Sequence, residues 1–213
     1  MSITSWFQPF NLVQQTTANK IELLTSDSCG NSYFVTYASD GSAGIMDYYQ
    51  INASGEILPM SSPAEFDSSV ANTLTTDYAC NVYVGTQAGG IYRHNSTSPL
   101  SKWQLVVGLP NIPIKKILFN HSNQMYMMVV ASYENNKIAS YQDNQIVYLK
   151  DLPEAYDNKT GTGVMSDFAI TYDGSLYAGT NNVNVWQYDF VNSVWLYTKY
   201  GNGMGDSISI SAN

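Results

Sequence analysis

Charge is scarce in this chain. Asp, Glu, Lys and Arg make up 12% of its 213 residues, about half the usual share. Arginine is nearly missing, with Arg93 the single one. No arginine cluster is therefore present to clamp a substrate carboxylate. The balance that remains is acidic, with a net charge of −8. That excludes a basic footprint for nucleic acid and argues against docking on an anionic membrane surface. No apolar run approaches the ~18 residues needed to span a bilayer. The N-terminal stretch MSITSWFQPFNLV has neither the basic nor the apolar region of a Sec signal. The expectation is a cytoplasmic protein, or one exported by a non-classical route.

Catalytic motifs are missing too. The two histidines, His94 at the end of a strand signal and His121 in a turn, are expected in loops of one face, and neither lies beside a Ser or Cys motif. No GxSxG, HExxH or P-loop pattern occurs. No cofactor is expected. The chain has two cysteines, Cys29 and Cys80. They show neither a CxxC spacing nor a His/Cys cluster. Two buried or idle thiols are expected, in preference to a disulfide or a metal pair. No window holds a sustained helical period.

What is present is a repeat. A short phrase recurs as DSCGNSY (27–33), DYACNVY (77–83), NHSNQMY (120–126) and DGSLY (173–177). Its tyrosines, Tyr33, Tyr83, Tyr126 and Tyr177, are spaced by 50, 43 and 51 residues. A period of this size marks a repeat architecture. Each repeat carries four short strand signals separated by Gly, Pro, Asn and Asp. The first strands, a, are 21–26, 72–76, 115–119 and 168–172. Strands b start at or beside the shared tyrosine. Strands c are 44–51, 90–94, 137–141 and 183–188. Strands d are 56–58, 102–107, 145–149 and 194–199. Apolar residues occur on both faces of these strands, as in sheets covered on both sides.

The phrases NVYVGTQAGGIYRHNSTSPLSKWQLVVGLP (81–110) and GSLYAGTNNVNVWQYDFVNSVWLYTKYGNG (174–203) resemble β-propeller blades of the BNR-like and tachylectin-like kind. The resemblance covers most of the chain. It implies an all-β propeller of four-stranded antiparallel blades in one domain over residues 1–213. The Asp-box of sialidases and the Gly-His and Trp-Asp signatures of WD40 repeats are absent, so it implies no functional family. Residues 3–13, with Trp6, resemble a leading outer strand d. Residues 207–213, with Ile210, resemble a trailing inner strand a. Four full blades and an incomplete fifth are expected. Unpaired terminal strands invite strand addition, so a homo-oligomer is one expected consequence.

In such blades the d–a and b–c connections share one face, and they are long here. Loops on a rigid scaffold are where binding concentrates. The candidate ligand-binding residues on that face are Asp40, Glu65, Asp67, Tyr133, Glu134, Glu154, Tyr156 and Asp157. Their carboxylates suit a cationic group or Ca²⁺, though no spaced motif specifies calcium. The repeated Asp27, Asp77, Asn120 and Asp173 read as turn caps, not as a ring of ligands. The repeated tyrosines read as packing between blades. The tryptophans Trp6, Trp103, Trp186 and Trp195 fit packing or sugar stacking alike. The function expected first is a non-enzymatic module that binds a protein or another polymer. A lectin is the first alternative. A glycoside hydrolase using a pair such as Glu65 with Glu134 or Glu154 is the second.

Overall fold

The structure is a computed structural model. It describes residues 20–37, 46–61, 70–95, 102–132, 135–153, 164–180 and 184–198. Among the described residues sixteen strands appear in chain order. Blade 1 holds β1 (Lys20–Ser26), β2 (Ser32–Tyr37), β3 (Met46–Ile51) and β4 (Ile57–Pro59). Blade 2 holds β5 (Ala71–Thr76), β6 (Asn81–Thr86), β7 (Gly90–Asn95) and β8 (Gln104–Gly108). Blade 3 holds β9 (Ile114–Phe119), β10 (Met125–Ser132), β11 (Asn135–Gln142) and β12 (Gln145–Tyr148). Blade 4 holds β13 (Met165–Ile170), β14 (Leu176–Thr180), β15 (Val185–Asp189) and β16 (Val194–Thr198). Each blade is one four-stranded antiparallel meander in sequence order. The described residues contain no helix.

The first strands lie innermost: β5 lies against β1 and β9, and β13 against β9. Sheets buried on both faces need apolar side chains at successive positions, and β6 (NVYVGT) shows this, with five of its six residues buried. Three apolar cores fill the seams between consecutive blades. Tyr33, Val35 and Tyr48 of blade 1 meet Val82, Val84 and Trp103 of blade 2. Tyr83, Ile91 and Val107 of blade 2 meet Ile117, Met125 and Met127 of blade 3. Tyr126, Met128 and Ile138 of blade 3 meet Phe168, Trp186 and Trp195 of blade 4. Each blade thus has a front face toward its successor and a back face toward its predecessor. Among the described residues no core joins blade 4 to blade 1.

The repeated tyrosine sits on the front face each time. Tyr33 and Tyr83 donate to Asp27 Oδ2 and Asp77 Oδ2 at 2.8 and 2.9 Å, and Tyr126 donates to Gln124 Oε1 at 3.0 Å. Burial first, and then the Asp77 carboxylate, push the Tyr83 hydroxyl pKa up. Beside Tyr83, Gly85 makes room for the next blade: a Cβ there would stand 2.6 Å from Ile114 Cγ2.

The tryptophans are packing residues. Trp103, Trp186 and Trp195 are all buried. The Trp103 and Trp195 ring N–H groups donate to Ser61 O and Lys150 O at 2.8 and 2.7 Å. Each acceptor follows the last strand of the preceding blade, so both rings tie a blade to its predecessor's exit. Trp6, Ile210 and both expected terminal strands lie outside the described residues.

Three expectations need correction. The cysteines are paired: Cys29 and Cys80 form a disulfide across the first seam, with Cα atoms 6.2 Å apart. Adjacent blades bring equivalent turns side by side, which spacing in sequence does not reveal. His94 lies within β7, fully buried against Trp103 with ring centroids 5.0 Å apart, and not in a loop. Finally, Asp173 is not the counterpart of Asp27 and Asp77. That place belongs to Thr171, whose N–H bonds Ser175 O at 2.9 Å just as Asp27 N bonds Asn31 O.

Candidate functional site

All eight residues expected to bind ligand (Asp40, Glu65, Asp67, Tyr133, Glu134, Glu154, Tyr156 and Asp157) lie outside the described residues. The described surface offers a site on the opposite face, where the a–b turns converge around the inner strands.

These turns share one construction. Asp27 Oδ1 accepts the N–H groups of Cys29 and Asn31 at 2.9 and 2.8 Å. Asp77 Oδ1 accepts those of Ala79 and Asn81 at 2.9 and 2.8 Å. Asn120 Oδ1 accepts those of Ser122 and Gln124 at 3.1 and 2.9 Å. A side-chain oxygen that bonds backbone two residues on fixes a tight turn. In blade 4 the hydroxyl of Thr171 donates to Asp173, and Asp173 accepts from Ser175 N at 3.1 Å. The residue three places after each cap is left-handed: Gly30 (φ 89°), Cys80 (63°), Asn123 (58°) and Gly174 (86°). Gly and Asn adopt this conformation at low cost, whereas Cys80 does so under the hold of its turn.

The residue immediately after each cap is thereby aimed outward. Those residues are Ser28, Tyr78, His121 and Tyr172. Three are aromatic and they touch in series. The Tyr78 and His121 rings lie 5.2 Å apart, edge to face, and His121 and Tyr172 lie 4.6 Å apart at a 45° tilt. Tyr78 is 46% exposed and Tyr172 67%, and His121 is exposed as well. A further bond crosses the blades here, from Tyr78 N–H to Asn123 Oδ1 at 2.8 Å. In blade 1 the position is filled by Ser28, whose Oγ lies 3.5 Å from Cys80 Sγ. The disulfide thus flanks the row on its blade 1 side. Exposed Phe190 and Val191, in the last turn of blade 4, share this face.

The arrangement is an aromatic ridge on rigid turns, with the His121 imidazole held between two tyrosine rings. Tyr rings combine apolar area with a polar edge at low entropic cost, which suits them to partner surfaces. Among the described residues, Asp27 with Cys29 and Cys80 is the one group spaced closely enough to suggest metal ligation. Its sulfurs are bonded to each other, so it has no thiolates to offer.

Sequence reasoning missed this row because its members differ in type. The signal was available as the position six before each repeated tyrosine, which gives Asp27, Asp77, Asn120 and Thr171, plus one.

No protein-family model and no curated protein matches the chain. Solved structures do. A structure described as YCF48 bound to D1 peptide matches 83% of this chain and 52% of its own, at 13% identity and a TM-score of 0.57. The virginiamycin B lyase of Staphylococcus aureus with quinupristin matches 88% of this chain and 57% of its own, at 16% identity and a TM-score of 0.58. A chain of the mitotic checkpoint complex matches 85% and 52%, at 15% identity and a TM-score of 0.58. The fold is a β-propeller. The chain spans about half the length of these propellers.

Proposed function

We propose that this propeller is a non-enzymatic interaction module that binds a peptide segment of a partner protein along the ridge Tyr78–His121–Tyr172. The observation that carries the reading is the exposure of three touching rings from three successive blades. Propellers similar in fold include one bound to a peptide and one in a protein complex. Another is a lyase, so fold alone decides nothing and the site must. The lectin alternative has lost three of its expected platforms, since Trp103, Trp186 and Trp195 are buried. The acidic loop set around Glu65, Glu134 and Asp157 remains a proposal for a cationic ligand, tested by Ca²⁺ titration. The Cys29–Cys80 disulfide supports an oxidising compartment, because cytosolic thiols are kept reduced. Among the described residues no helix is long and apolar enough to cross a membrane.

The test is selection of a random peptide display library on the immobilised chain, with a glycan array beside it. Enriched peptides should lose at least tenfold in affinity for a Tyr78→Ala/Tyr172→Ala double variant. Peptides that bind the variant equally well would move the site elsewhere. An empty peptide selection beside a positive glycan array would replace the reading with the lectin.

A further inference from the structure

The back face of blade 1 is the one back face without a covering blade among the described residues. Strand register places Leu24 and Phe34 of blade 1 where blade 2 has Leu74 and Val84, blade 3 has Ile117 and Met127, and blade 4 has Phe168 and Ala178. The latter three pairs all belong to seam cores. On blade 1, Leu24 is 68% exposed, Ile21 53% and Ile57 39%. Between them Phe34 and Tyr49 stack on each other at 4.9 Å, only half-buried. Leu24, Phe34, Tyr49 and Ile57 form an apolar strip across the sheet, bordered at one end by the Thr36–Asp47 pair; grouped exposed apolar residues of this kind mark an interaction surface.

What covers such a face is seen three times within the chain: the front face of another blade. One front face is left over among the described residues. On blade 4 the Tyr-x-Gly-Thr run of β14 repeats that of β6, so Tyr177 and Gly179 stand where Tyr83 and Gly85 stand on blade 2. Tyr177 is half-buried and belongs to no seam core. Ala169 opposite it is buried, and Leu196 on the outermost strand of the same face is exposed.

We propose that a second copy of this chain docks head to tail, the front of its blade 4 covering the back of blade 1. Two such contacts between two copies close a ring of eight blades, within the range of about 4–8 found in propellers. A head-to-tail contact that closes on itself gives a finite assembly and not a fibre.

Light scattering on the whole chain at tens of micromolar tests this. The expected result is the mass of two chains. Leu24→Asp should bring it to the mass of one, with an unchanged circular dichroism spectrum, and Leu196→Asp should do the same from the other side. Mixing the two variants should recover two-chain mass, because one intact seam then remains available. Should Leu24→Asp fail to fold, Ile57→Lys takes its place. A wild-type chain that stays monomeric overturns the proposal. So does a dimer that tolerates Leu196→Asp, which would mean that two back faces pair with each other.

Discussion

Leu24 and Phe168 hold the same place in their blades, three residues before the turn cap and opposite the second strand. Leu24 is 68% exposed and Phe168 is fully buried. The repeat supplies the same chemical pattern to every blade, but burial depends on what the neighbouring blade brings. A position in a repeat therefore sets the direction a side chain points, and the next unit sets its energetic worth.

Phe168→Ala removes a ring packed among Ala178, Trp186 and Trp195 and should cost ~3–5 kcal/mol in denaturant unfolding. Losing the Cys29–Cys80 bond through a double Ser variant frees a link between residues 51 apart in sequence. About 2–4 kcal/mol is expected, within the usual range for a disulfide. A reducing agent should shift the wild-type midpoint and leave the variant's untouched. Gly85→Ala drives a methyl into Ile114 and should cost ~1–3 kcal/mol by overpacking. An unchanged midpoint would mean that the second seam is looser than described.

Smaller effects sharpen the picture. Tyr83→Phe strips one donor from Asp77 at a cost of ~1 kcal/mol, while Tyr177→Phe should be nearly silent. The raised pKa of Tyr83 also sets a sign with pH. Its contribution is whole below the unfolded tyrosine value of about 10 and is lost as pH rises beyond it. Alkaline unfolding should therefore soften in Tyr83→Phe. Smallest of all is Leu24→Ala, expected within ~0.5 kcal/mol of wild type in solutions dilute enough for the chain to be a monomer.

Much of the fold was legible in the sequence. Period and turn residues place all four strands of each blade, because short apolar runs and tight turns leave marks in residue type. Blade 4 was read with its first strand too late, at 168–172 in place of Met165–Ile170. Asp173 drew the alignment to itself, although Thr171 caps this turn with a hydroxyl. What the four turns have in common is a left-handed residue, filled by Gly, Cys or Asn, and no single residue type reports it. The disulfide was missed because it depends on two turns meeting in space. The aromatic row was missed for the same reason: Tyr78, His121 and Tyr172 form a surface only once three blades are side by side. The expected acidic loop set lies outside the described residues.

Tyr78, His121 and Tyr172 stand exposed on the inner turns, while Trp103, Trp186 and Trp195 are core. Hydroxyl-radical footprinting of the dilute chain, read by mass spectrometry, tests this directly. The account predicts fast labelling of Tyr78, His121 and Tyr172 and slow labelling of Trp103, Trp186 and Trp195. Rapidly oxidised tryptophans beside protected Tyr78 and Tyr172 would contradict it.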